Sequence, residues 1–352
     1  MRRTRRLELH FARRSKLWAI AALCAAFALT GCAGGGGSGT AAGTGVSNVK
    51  PTGAEAVNAA AAPALGEVTV KDLTGKEVTF SEVPSRIAVL SGADLNTVYK
   101  LGGTVVGRPT TKNPVEPKEA ETAEQIGTAH GVNLEKLALL KPDVVIATAG
   151  LGQKDAEAIE ALGTKLLLTS GYSVDEVKQS ILLVGQVMRK DEKAAELIQE
   201  VDAKLAQIQA DMSGKTAPKG LVIFGSPTSL QIALPTSLSG DLLAKAGGVN
   251  VAADYPGLEK SGGRYAQLSA ERIIQSDPDA IYLVAHGDPQ QVQAAFEKEM
   301  SGNPAWSNLR AVKENRLLVL PSELFSANPG PKVVEALDYL HKHIAETAAQ
   351  LQ

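Results

Sequence analysis

Residues 133–147 read NLEKLALLKPDVVIA, and residues 269–283 read SAERIIQSDPDAIYL. The two stretches align without a gap at a constant offset of 136. In each, a polar residue suited to an N-cap (Asn133, Ser269) precedes a short helical pattern. A Pro-Asp pair (Pro142-Asp143, Pro278-Asp279) then ends the helix, because the residue before proline disfavours helical backbone. An apolar run suited to a buried strand follows in both. Chance rarely holds so long a register, so the repeat predicts two similar α/β halves.

Outward from the repeat, Glu67–Asp72 alternates like a strand, Leu73–Lys76 turns it, and Val78–Phe80 returns, predicting a hairpin. Arg86–Leu90 is an apolar strand, followed by a helix from about Asp94 to Leu101. Short apolar strands alternating with helices predict an α/β fold of mainly parallel sheets covered on both faces. Residues 174–212 keep apolar positions at helical spacing, and the later part, AAELIQEVDAKLAQIQADM, contains no Gly or Pro. One long rigid helix is therefore expected to join the halves, with a ligand cleft between them. The expected organisation is a leader over 1–31, a tether over 32–65, an N-terminal half over 66–173, a helical region over 174–216, and a C-terminal half over 217–352 closed by a helix.

Across 352 residues, 44% are apolar and 21% charged, the balance of a chain that buries a core. The net charge of −2 conceals an asymmetry: residues 1–31 carry +6, which leaves −8 for the rest. An acidic body argues against nucleic acid as a partner, since phosphate binding needs clustered Lys and Arg. The only cysteines are Cys24 and Cys32, so the body holds neither a disulfide scaffold nor a thiolate metal site. The leader is basic, then apolar from Leu17 to Leu29, too short to span a bilayer stably and typical of a secretory signal. Leu29-Thr30-Gly31-Cys32 resembles a bacterial lipobox, which implies lipidation of Cys32 and cleavage before it. The Gly-rich segment after Cys32 reads as a flexible tether holding the body at the extracytoplasmic face of the membrane.

Enzymatic signatures are missing: Ser226 has Phe224 and Thr228 where a nucleophile elbow needs Gly, and there is no phosphate loop. The expectation is a binding protein and not an enzyme. Of five His, His10 is in the leader, while His341 and His343, two apart in the terminal helix, cannot share a face and read as surface residues. His130 and His286 occupy loops, one in each half, with His286 directly after the second repeat strand. Ligands of paired α/β halves bind outside strand ends, so two imidazoles can approach one cleft. Two imidazoles can hold haem iron from both faces of the macrocycle.

The lipobox, the tether and the segments RIAVLSGADLNTVYKLG, IGTAHGVNLEKLALLKPDVVIA, LSAERIIQSDPDAIYLV and NPAWSNLRAVKENRLLVL together resemble the class III, helical-backbone, substrate-binding lipoproteins of ABC importers. That resemblance covers about residues 66–350 and implies ligand capture between the halves. It also implies docking onto Arg of a permease through one Glu per half, which here are Glu135 and Glu271. A helix N-terminus favours Glu in any case. The stretch HGDPQQVQAAFEKEMSGNPAWSNLRAVKENRL is similar to the Isd-type haem receptor lipoproteins, which implies iron ligation by His286. In that family the other ligand is a Met five residues before the docking Glu. His130 stands there, so the resemblance leaves bis-imidazole ligation or His286 alone. Arg264 and Tyr265 are candidates for binding the haem propionates and ring, Thr110-Thr111-Lys112 for the opposite side, and Leu324-Phe325 for an apolar wall. Iron-siderophore and cobalamin receptors share the fold and stay as alternatives, although aromatics total only 4% and Trp306 is the sole Trp beyond the leader. A secreted hydrolase is the distant alternative, and a monomer is expected.

Overall fold

The computed structural model describes residues 66–111, 114–128, 130–150, 152–254, 263–267 and 269–352. Cys32, the leader, the tether, Lys112 and the segment before Arg264 at 255–262 lie outside the described residues. The hairpin pairs β1 (Val68–Lys71) with β2 (Glu77–Phe80) in antiparallel register. The first half is built on β3 (Ile87–Val89), α1 (Gly92–Lys100), β4 (Gly107–Arg108) and β5 (Glu124–Gln125). A small hairpin follows, β6 (Gly127–Thr128) with β7 (Gly131–Val132), then α2 (Leu134–Leu140), β8 (Val144–Thr148), α3 (Ala156–Glu160) and β9 (Lys165–Thr169). Its sheet has the order β5-β4-β3-β8-β9 and is parallel throughout.

Two helices, α4 (Val174–Val187) and α5 (Asp191–Asp211), lead to the second half. That half contains β10 (Lys219–Ser226), β11 (Ser229–Ala233), α6 (Leu238–Lys245), β12 (Val249–Asn250), β13 (Tyr265–Gln267) and α7 (Ala270–Ser276). It continues through β14 (Ala280–Ala285), α8 (Pro289–Gly302), α9 (Arg310–Lys313), β15 (Leu317–Leu320), α10 (Ser322–Phe325) and α11 (Val333–Gln350). The sheet order is β13-β11-β10-β14-β15, with β12 also beside β10. Strands β12, β10, β14, β15 and β13 run in the same direction, and β11 is the reversed strand, pairing antiparallel with both β10 and β13. A tight Pro227-Thr228 turn folds β11 back on β10 and so makes this second sheet mixed.

The repeat is a structural repeat. Asn133 caps α2, and α2 and α7 both end on a residue in left-handed backbone, Lys141 (φ 46°) and Asp277 (φ 38°). Two residues later an Asp opens the following strand and accepts backbone N–H bonds from the start of its neighbour. Asp143 takes those of Ser85 and Arg86 at 2.8 Å each, and Asp279 takes that of Lys219 at 2.8 Å. The Pro-Asp of the sequence therefore locks strand register in both halves.

Helical residues 174–212 do not form one continuous rod. The chain breaks at Met188–Lys190, where Arg189 takes positive φ (54°), and the uninterrupted stretch of the sequence becomes the 21-residue α5, which packs on α4. Strand alternation sorts the core into layers. Ile87, Val89, Val144, Ile146, Val222, Tyr282 and Val284 join α1, α4, α5, α6 and α11 in a core shared by both halves. The alternate residues Ala88, Val145 and Leu166 form a private core of the first half, and Leu221, Ile223, Ile281 and Leu283 one of the second.

His341 and His343 depart from the surface reading. His341 Nδ1 lies 2.9 Å from the Ala246 carbonyl, and the His343 ring packs 5.2 Å from that of Tyr339. Both sit partly buried because α11 is covered by α5 and α6, and burial lowers the His343 pKa. No helix among the described residues is long and apolar enough to cross a membrane.

Candidate functional site

A cavity of about 850 Å³ lies at the carboxyl ends of the first half's parallel strands and is closed by the loop after β15 of the second. Its floor is the start of α1. Ser91 caps that helix by accepting the Asp94 N–H at 3.1 Å, and its hydroxyl donates to the Asp94 carboxylate. The other oxygen of Asp94 accepts from Thr169 at 2.9 Å, tying the ends of β3 and β9. Asp94 is only 2% exposed, and this burial raises its pKa to about 6 against the opposing effect of the two hydroxyl bonds.

The first half contributes Arg108 at the end of β4, Thr110 and Thr111 after it, Thr128 and His130 around the β6–β7 turn, and Tyr172 after β9. His130 is exposed, its N–H donates to Thr128 Oγ1 at 3.2 Å, and its carbonyl accepts from Lys154. The Tyr172 hydroxyl donates to the Ala149 carbonyl at 3.3 Å. Its backbone N–H donates to Glu176, whose N–H in turn donates to the Ser173 cap of α4.

From the second half, Tyr265, Phe325, Asn328 and Lys332 line the cavity. Three contacts cross between the halves here. The Arg264 guanidinium lies 3.3 Å from the centroid of the Tyr172 ring, Asn328 donates to the Ser170 carbonyl at 3.2 Å, and Lys332 pairs with Glu116, lowering its pKa. The second contact requires Gly171, since a Cβ there would sit 2.2 Å from Asn328 Cγ.

The structure brings His130, Tyr265, Thr110, Thr111 and Phe325 to one cavity, but His286 is not among its described lining residues. His286 follows β14, and its N–H donates to the Gly225 carbonyl at 2.7 Å. Its ring stacks 5.5 Å from that of Phe224, which lies 4.7 Å from Tyr265. The second imidazole is exposed and stacks on Phe224, the ring that neighbours the lining residue Tyr265. Its loop is shaped by Gly287 (φ 102°) and by Asp288, which caps α8 ahead of Pro289. Burial raises the Tyr265 pKa. Arg108, Tyr172, Phe224 and Asn328 did not stand out in the sequence; Arg108 ends a strand and Tyr172 follows one, the one signal that pointed to them.

Glu135 and Glu271 occupy equivalent places, exposed in the first turns of α2 and α7, and neither forms an ion pair among the described residues. No group of three or more His, Cys, Asp or Glu suited to a metal ion occurs among the described residues.

Residues 87–324 match the periplasmic binding protein family, and the chain belongs to that family. It is 29% identical to an uncharacterized ABC transporter substrate-binding lipoprotein, YvrC, of Bacillus subtilis, over 79% of this chain and 85% of that protein. It is 26% identical to the high-affinity heme uptake system protein IsdE of Staphylococcus aureus, over 76% of this chain and 87% of the other. The crystal structure of S. aureus IsdE complexed with heme superposes with a TM-score of 0.65, covering 74% of this chain and 98% of that one at 26% identity.

Proposed function

We propose that this chain, as a member of the periplasmic binding protein family, is the extracytoplasmic substrate-binding component of an ABC importer, and that its cargo is haem. The observation that carries the reading is the cavity of about 850 Å³ at the strand ends, into which one exposed imidazole, His130, projects among Tyr172, Tyr265 and Phe325. A flat apolar macrocycle needs such walls, and its iron takes an imidazole nitrogen as an axial ligand. His286 supplies the second imidazole once it leaves the Phe224 ring. Similarity to IsdE, a heme uptake protein, supports the same cargo.

In this reading lipid on Cys32 anchors the protein, the tether gives it reach, and Glu135 and Glu271 dock the loaded protein on a permease. Arg264 and Tyr265 bind the ligand from the second half. The test is titration of the mature protein with haemin, followed by visible absorption. A Soret shift saturating at one haemin per chain is expected. No shift, with thermal stabilisation by a ferric siderophore or by cobalamin instead, would replace the cargo and leave the transport role standing.

A further inference from the structure

Arg108 closes β4 and is 6% exposed, yet among the described residues its guanidinium has almost no partners. Among the described residues its buried Nε–H has no hydrogen-bond partner, and the partner of Nη1 is the adjacent Pro109 carbonyl at a long 3.3 Å. Among the described residues no carboxylate pairs with it. Glu124, which shares a shallow polar depression with Arg108, is engaged by Lys136. A guanidinium carries five N–H donors and cannot lose its charge, so burying it unpaired is costly unless a partner arrives. Arg108 also lines the ligand cavity, together with Thr110 and His130.

We infer that Arg108 is an anion-recognition residue of the first half, and that the cargo presents to it a carboxylate, held by a charge-assisted and preferably bidentate pair. The inference rests on the cargo reading above and narrows it: of the groups on haem, a propionate is the one that answers this site, whereas the iron and ring meet His130 and the aromatic walls. Thr110 lines the same part of the cavity and completes a polar corner.

The experiment compares haemin with haemin dimethyl ester, whose propionates carry no charge, in the parent protein, Arg108→Met and Arg108→Lys. The parent is expected to bind haemin at least tenfold more tightly than the ester. Arg108→Met should lose that preference while keeping its Soret shift, and Arg108→Lys should retain part of it. Free of ligand, Arg108→Met should melt no lower than the parent, since an unpaired buried charge has been replaced by an apolar chain of similar length. Equal binding of haemin and ester by the parent would overturn the role of Arg108 and leave haem as the cargo. A lower melting temperature in Arg108→Met with the preference intact would likewise overturn it, returning the residue to a structural role. If the parent shows no Soret shift at all, the haem reading fails, and the same proteins are melted with ferric citrate. Stabilisation of the parent but not of Arg108→Met would then uphold carboxylate recognition, and any other result would reject it.

Discussion

The guanidinium of Arg264 lies 3.3 Å above the ring of Tyr172, so the residue just ahead of β13 in one half rests on a residue that follows β9 in the other. Tyr172 lines the cavity and is itself held by its hydroxyl bond to Ala149, while Arg264 is not among the cavity's described lining residues.

Removing either member should loosen this link between the halves. An exposed cation–π pair contributes about 0.5–1 kcal/mol, so Arg264→Ala and Tyr172→Leu should each weaken haemin binding by about two- to fivefold. Stopped-flow transfer of haemin to an acceptor globin should show the change in the dissociation rate, and the double variant should lose no more than the single ones.

The two imidazoles stand differently and should respond differently. His130→Ala removes the ring already in the cavity, whereas His286→Ala removes one that stacks on Phe224. Both variants are expected to alter the Soret band of the haemin complex, and Phe224→Ala should ease the approach of His286. An unchanged band in both histidine variants would rule them out as iron ligands.

Glu135→Ala and Glu271→Ala should leave haemin affinity within about twofold and lower uptake in cells that depend on this importer, since exposed side chains without ion pairs contribute little to folding. The double variant should be nearly inactive. Reduced haemin binding in vitro would show instead that these residues act on the fold.

Asp94 links stability to acidity. Its pKa rises from 3.8 when unfolded to about 6 in the fold, so the folded state holds the proton more tightly. Between about pH 4 and pH 6 stability should therefore fall as pH rises, by up to about 3 kcal/mol at neutrality relative to an unperturbed carboxyl. Asp94→Asn should remove this slope from denaturant-unfolding curves collected over that range.

The left-handed caps of the repeat offer a paired comparison. Lys141→Gly should stabilise the protein by about 0.5–1 kcal/mol, because a Cβ is disfavoured at that backbone geometry. Asp277→Gly relieves the same strain but loses the bonds of its carboxylate to the Arg310 N–H at 3.0 Å and to the Arg310 guanidinium at 3.2 Å, so it should bring no gain. Thermal unfolding of the two variants beside the parent measures the difference.

The sequence carried the fold because one motif was written twice: cap, short helix, Pro-Asp, apolar strand. Asn133, which caps α2, and the prolines that follow α2 and α7 act on their own helices and can be read without tertiary information. Ser269, by contrast, makes no side-chain cap bond, and the bonds of Asp143 to Ser85 and Arg86 and of Asp279 to Lys219 join segments distant in the chain. The break at Arg189 could not be read either, since Met188-Arg189-Lys190 contains neither Gly nor Pro and the packing of α4 on α5 bends it. At the cavity, the strand-end rule led to His130, while Thr110 and Tyr265 entered as candidates for contact with the ligand that the resemblance implies. The rule also led to His286, but a rule about chain position cannot reveal that this imidazole stacks on Phe224 and is not among the described residues that line the cavity. Arg108 is the sharpest case. Its type and place are plain in the sequence, yet what marks it is a partner missing among the described residues, and only three-dimensional surroundings expose that. His341 and His343 defeat a surface reading because α11 is covered on more than one side.

The core that α4, α5 and α11 share with one face of both sheets has a mechanical meaning. Neither half can swing away as a door does on its hinge, because any large rotation would shear close-packed side chains that resist compression. Close packing of this kind favours small displacements of one half against the other, spread through many contacts as in a stiff spring.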